Sequence, residues 1–85
     1  MELNTSVKFE EGLHARPASE LVKVCQMAVS DITIFRGDKG VNPKSILGIL
    51  TLGAGFKDDL RIVVEGSDAE VVTERLKAFF EKTDI

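Results

Sequence analysis

The chain has no tryptophan and no tyrosine, a single cysteine and a single histidine. One cysteine excludes an internal disulfide, and with no C-x-x-C pair and no second histidine there is no recognisable metal site. The five phenylalanines are not interleaved with Lys or Arg, so no base-stacking platform is present. Positive charge is also in deficit: 11 Lys and Arg stand against 14 Asp and Glu, a formal net charge of −3. That balance argues against a nucleic-acid surface, which needs a basic stripe. No apolar run approaches the roughly 20 residues of a membrane span. The opening MELNTSVKFEEG lacks both a basic n-region and an apolar h-region, so no signal peptide is expected. The cytoplasm is the simplest setting. No cofactor, nucleic acid or membrane insertion is implied.

What is present fits one small domain over residues 1–85. Hydrophobic residues make up 44% of the chain and charged residues 29%, enough for one thin core with a solvated exterior. The small charged exterior favours a monomer.

Leu3, Val7 and Phe9 alternate with polar residues, with Thr5 sharing their face, and predict a half-buried first strand. From Ala15 the period changes. Ala18, Leu21, Val22, Cys25 and Ala28 fall at helical spacing and form one apolar stripe. Ile32 and Ile34 predict a second strand, and Gly37-Asp38 with Gly40 a hairpin into a short third strand around Val41. Asn42-Pro43-Lys44-Ser45 opens a short helix over roughly Ile46 to Leu52. Leu60, Ile62 and Val64 alternate as a fourth strand. Ser67-Asp68-Ala69-Glu70 reads as a capping box for a last helix that buries Val72, Leu76, Phe79 and Phe80. The order βαββαβα predicts an α+β fold, a two-layer open-faced sandwich with one four-stranded antiparallel sheet and helices on one face. Lys8, Thr33, Arg61 and Val63 are expected on the open face, where Val63 fits least well.

The chemistry concentrates at Gly12-Leu13-His14-Ala15-Arg16-Pro17-Ala18. Pro17 suits a first helical turn, where its missing N–H breaks no intrahelical bond. His14 then falls at the N-cap, and the free N–H groups of Ala15 and Arg16 point outward beside the imidazole. With the positive end of the helix dipole they form an anion site, and Arg16 adds a planar fork suited to phosphate oxygens. The positive helix end favours a neutral, nucleophilic ring, and the same donors stabilise a phosphoryl group once attached. Against this stands the plainer reading of His14 as a polar cap.

Ser45 is a good N-cap candidate whatever else it does. At 100° per residue, Ile49 and Leu52 share one side of the following helix, and Ile46, Leu47 and Leu50 another. A short helix packed on one sheet buries one of these faces. Ile46, Leu47 and Leu50 are therefore expected exposed as a docking patch, unless all five belong to the core. Phosphorylation of Ser45 would add close to two negative charges at a helix N-terminus and alter docking beside it.

The Gly12 to Ala18 segment, combined with Val41-Asn42-Pro43-Lys44-Ser45-Ile46-Leu47-Gly48 about thirty residues later, resembles HPr. That family comprises the histidine-containing phosphocarriers of the bacterial sugar phosphotransferase system. The resemblance covers nearly the whole chain. It implies that His14 receives phosphate on Nδ1 from the phosphohistidine of enzyme I and donates it to enzyme IIA components, without small-molecule turnover of its own. Arg16 matches the family's phosphate-assisting arginine. Ser45 matches the regulatory serine that a kinase/phosphorylase modifies in Gram-positive relatives. Ile46, Leu47 and Leu50 match the partner-binding patch, with Ser19 and Glu20 beside it on the first helix. A regulatory paralogue lacks the histidine, which this chain retains. The alternative role is a regulatory module whose Ser45-phosphorylated form binds a transcription regulator.

Two departures stand out. Glu20 occupies a position where many relatives carry an aliphatic contact residue. Lys57 sits where relatives commonly have glycine, in a turn that Gly55 is expected to accommodate by moving the flexible position.

Overall fold

The computed structural model describes residues 1–82. In chain order it comprises β1 (Glu2–Ser6), α1 (Ala15–Gln26), β2 (Asp31–Arg36), β3 (Lys39–Val41), α2 (Ile46–Leu52), β4 (Asp59–Glu65) and α3 (Ala69–Phe80). The strands form one four-stranded sheet in the order β1-β4-β2-β3, every neighbouring pair antiparallel. This is the open-faced two-layer sandwich expected from the order of elements.

Register explains the layering. Ile32 opposes Val64 and Ile34 opposes Ile62, while Leu3 and Thr5 of β1 oppose Ile62 and Leu60. Directly paired residues share a face, so these side chains form the inner surface of the sheet. They meet Ala18, Leu21, Val22 and Cys25 of α1, Ile49 and Leu52 of α2, and Val72, Leu76, Phe79 and Phe80 of α3 in one core. Phe79 stands edge-on to both Phe9 and Phe80, with ring centroids 5.5 and 5.1 Å apart. Such edge-to-face pairs add to the stabilisation from apolar burial.

The opposite face carries Thr33 against Val63 and Phe35 against Arg61. Val63 is half-buried there. The Arg61 guanidinium lies 4.2 Å over the Phe35 ring, and its Nη1 is 3.6 Å from Glu2 Oε2. A cation stacked on an aromatic ring lets this face carry Phe35 in contact with water.

Three local expectations are corrected. The first strand ends at Ser6, before Val7 and Phe9. Both residues are nevertheless buried, because the chain stays extended: Val7 exchanges backbone hydrogen bonds with Asp58 and Lys57 in the turn before β4. Lys8 therefore lies past the strand, and it is half-buried. Second, the N-cap of α3 is Asp68 and not Ser67. The Asp68 carboxylate is drawn away from its own helix, accepting from the Val29 and Ser30 N–H groups at 2.8 and 2.9 Å and from the Ser30 hydroxyl. Gly66, at φ 153°, permits this close approach, since a Cβ there would lie 2.6 Å from Ser30 Oγ. Third, Lys57 itself takes the left-handed conformation, at φ 72°, while Gly55 does not.

Candidate functional site

The corner between the loop after β1 and the start of α1 is built by two backbone hydrogen bonds. Gly12 N–H donates to Phe9 O at 2.9 Å, closing a turn, and Leu13 N–H donates to Ala54 O at 2.9 Å. Gly12 sits at φ 75°, and a Cβ on it would fall 2.7 Å from Ala54 O. Only glycine fits both the angle and the contact. Leu13 is buried, and Pro17 and Ala18 anchor the first turn of α1 in the core. The segment between these anchors is thereby presented to solvent.

His14 is the N-cap of α1, in extended geometry at φ −79° and ψ −175°. Its carbonyl accepts from Ala18 N–H at 2.9 Å, the first bond of the helix. Its side chain caps nothing, which removes the plainer reading of this residue. Among the described residues the N–H groups of Ala15 and Arg16 have no acceptor, and Pro17 has no N–H to offer. Ala15, Arg16, Ser19 and Glu20 are exposed, and the imidazole is about one-third exposed, at 35%. Arg16 makes no ion pair among the described residues. Two unpaired donors and the positive helix end thus lie beside an accessible imidazole, with the exposed Arg16 side chain two residues further on. Such a corner can hold an anion next to a nucleophile.

A second layer supports the corner from behind. Ala54 lies in the turn between α2 and β4. The Asp58 carboxylate accepts from Gly55 N–H at 2.7 Å and lies 3.5 Å from Arg36 Nη1, while Arg36 Nε donates to Leu52 O at 2.9 Å. The Arg36 side chain on β2 thereby ties the C-terminus of α2 to the turn that holds Leu13. Sequence reasoning missed Ala54, Asp58 and Arg36. Their link to His14 passes through a backbone carbonyl some forty residues away, and no periodicity reports such a contact.

Ser45 is the N-cap of α2, its hydroxyl accepting from Gly48 N–H at 3.3 Å. Behind it, Ile49 and Leu52 are fully buried, while Ile46, Leu47 and Leu50 are 42, 68 and 43% exposed. The division expected from helical angles is the one observed. Lys44 Nζ donates to Ala28 O and Gln26 Nε2 to Lys44 O, so the Ser45 end of α2 lies against the C-terminal end of α1. The other end of α2 leads into Ala54 and the His14 loop. Ser45 and His14 are therefore not brought together; the exposed face of α2, about 10 Å long, runs between them.

The lone thiol belongs to the core. Cys25 is buried in α1, and burial pushes its thiol up to about 12, against a smaller opposing effect of Lys44. It is unsuited to nucleophilic chemistry at neutral pH.

Comparisons with known proteins give one consistent family for the chain as a whole. The family model described as "PTS HPr component phosphorylation site" matches residues 1–82. The chain is 38% identical over 82 residues to "HPr-like protein Crh" of Halalkalibacterium halodurans, covering 96% of this chain and 98% of the relative. It is 38% identical over 79 residues to "Phosphocarrier protein HPr" of Haloferax volcanii, covering 91% and 89%. The crystal structure of a phosphocarrier protein HPr from Bacillus anthracis matches with a TM-score of 0.89 at 39% identity, covering 94% of this chain and 95% of that one.

Proposed function

The chain belongs to the HPr family of phosphocarriers, and from that premise we propose that His14 takes up a phosphoryl group from enzyme I and passes it to enzyme IIA components of a sugar phosphotransferase system. The observation that carries this reading is the uncapped imidazole at the start of α1, beside the unpaired N–H groups of Ala15 and Arg16.

The roles follow from chemistry. The lone pair of Nδ1 attacks phosphorus, and the bond from phosphorus to the donor nitrogen breaks with its electrons remaining on the donor. The Ala15 and Arg16 amides and the Arg16 guanidinium carry the charge on the phosphoryl oxygens. Among the described residues Arg16 is the one cation in the corner, so the group is held lightly and a second displacement delivers it to the next acceptor. Partners dock on Ile46, Leu47 and Leu50 of α2, with Ser19 and Glu20 of α1 beside them. Glu20 puts a carboxylate where many relatives carry an aliphatic contact residue, which weakens the apolar patch and alters the choice of partner. The carrier works as a single-domain monomer in the cytoplasm. Among the described residues no helix is long and apolar enough to cross a membrane.

Incubation with enzyme I and phosphoenolpyruvate is expected to give an acid-labile adduct on His14. Arg16→Ala is expected to slow the transfer roughly ten- to a hundredfold. An adduct unchanged in His14→Ala, or none on the wild-type chain, overturns the reading.

A second role rests on Ser45, next to exposed Ile46 and Leu47, and on the similarity to "HPr-like protein Crh". Phosphorylated by a serine kinase/phosphorylase, Ser45 would control docking to a transcription regulator. Ser45→Asp should then bind such a regulator differently from wild type, and equal binding sinks this role.

A further inference from the structure

Glu11 lies on the turn closed by Gly12, three residues before His14, and brings Oε2 to 3.6 Å from Nε2 of the imidazole. This is ion-pair reach rather than a hydrogen bond. The backbone around the pair is fixed, by the Gly12–Phe9 bond on one side and the Leu13–Ala54 bond next to it. A carboxylate facing one ring nitrogen holds the proton there and leaves the lone pair on the other.

We propose that Glu11 is a positioning residue for transfer at His14: its carboxylate keeps the proton on Nε2, so that Nδ1 presents the lone pair that attacks phosphorus. The inference deepens the carrier reading and rests on it. The step balances without moving a proton. Nδ1 forms the new bond to phosphorus, the donor nitrogen keeps the electrons of the bond that breaks, and Nε2–H stays in place. The ring gains a positive charge, which the Glu11 carboxylate faces. Reversal of the same step releases the phosphoryl group. Because Glu11 is 82% exposed, its influence is small, roughly a two- to fivefold bias between tautomers.

Nitrogen NMR of the full, unphosphorylated chain, at alkaline pH, reads the tautomer ratio directly. Glu11→Ala is expected to shift the ratio roughly two- to fivefold towards the Nδ1–H form, and Glu11→Asp to restore part of the difference. Glu10→Ala, which removes the same charge one residue away, should leave the ratio where it is. An unchanged ratio in Glu11→Ala overturns the proposal, and so does an equal shift in Glu10→Ala. In parallel, the initial rate of labelling by enzyme I should fall in Glu11→Ala by less than that factor, because it follows the fraction of the Nε2–H form and not the ratio. Should enzyme I label no variant at all, the carrier reading fails, while the tautomer ratio still decides the role of Glu11.

Discussion

The Leu13 amide donates to the Ala54 carbonyl at 2.9 Å, joining the loop that carries His14 to the turn that ends α2. Gly12 makes the approach possible, and no other residue type fits without moving one of the two segments. Gly12→Ala is expected to destabilise the fold by roughly 2 kcal/mol, from left-handed strain plus the contact with Ala54 O. It should also speed amide exchange at Leu13. A shift of the urea midpoint checks the first effect and exchange rates the second.

Lys57 is the non-glycine residue with positive φ among those described, at 72°. A left-handed side-chain-bearing residue costs roughly 1–2 kcal/mol, partly offset by the backbone freedom that glycine loses on folding. Lys57→Gly should therefore stabilise the protein by roughly 0.5–1 kcal/mol, read as a higher urea midpoint at constant slope.

The Asp68 carboxyl is held below its ordinary range, first by the Ser30 hydroxyl and then by the Val29 N–H. Its folded-state pKa lies below the unfolded value of about 3.9. Its contribution is thus fully present above that value and lost as pH falls through the folded pKa. Denaturation measured from neutral pH downward should show a decline setting in as pH falls to about 4, and Asp68→Asn should flatten it. Parallel curves for the two proteins would sink this assignment.

Cys25 is fully buried, and its thiol is raised to about 12. An aromatic disulfide reagent should label it only at the rate at which the chain opens, with labelling tracking the urea unfolding curve. A fast reaction of the native protein contradicts this burial.

Leu47 is 68% exposed and contributes little to the core. Leu47→Ala should change stability by less than about 0.5 kcal/mol and weaken partner docking by about tenfold, more than 1 kcal/mol. Calorimetric binding to an enzyme I domain, beside a denaturation curve, separates the two.

Much of this was legible because the chain's signals are local. The single spacing rule that places Ile49 and Leu52 inward and Ile46, Leu47 and Leu50 outward needs no knowledge beyond α2 itself. The same holds for Pro17 fixing the start of α1 and with it the N-cap position of His14. Local reading failed where two nearby groups competed and a distant one decided. Ser67 and Asp68 are both good caps, but Val29 and Ser30, nearly forty residues earlier, draw in the Asp68 carboxylate. Lys57 and Gly55 compete for the bend before β4, and the bonds from Val7 to Lys57 and Asp58 set the angle at Lys57. The support of the His14 loop by Arg36 and Asp58 was invisible for the same reason. Glu11 and His14 are only three residues apart, but it is the turn closed by Gly12 that folds the two side chains towards each other.

The short helix α2 works as a strut braced at both ends, by Lys44 on the carbonyl of Ala28 and by Arg36 on that of Leu52. A charge placed at Ser45 would thus meet a helix held at both ends rather than one free to shift towards His14. A protein docked on the exposed face of α2 and covering about 800 Å² would touch both ends at once. If both positions are modified, coupling between them would lie in the footprint of the visitor, and two visitors with different footprints would weigh the pair differently.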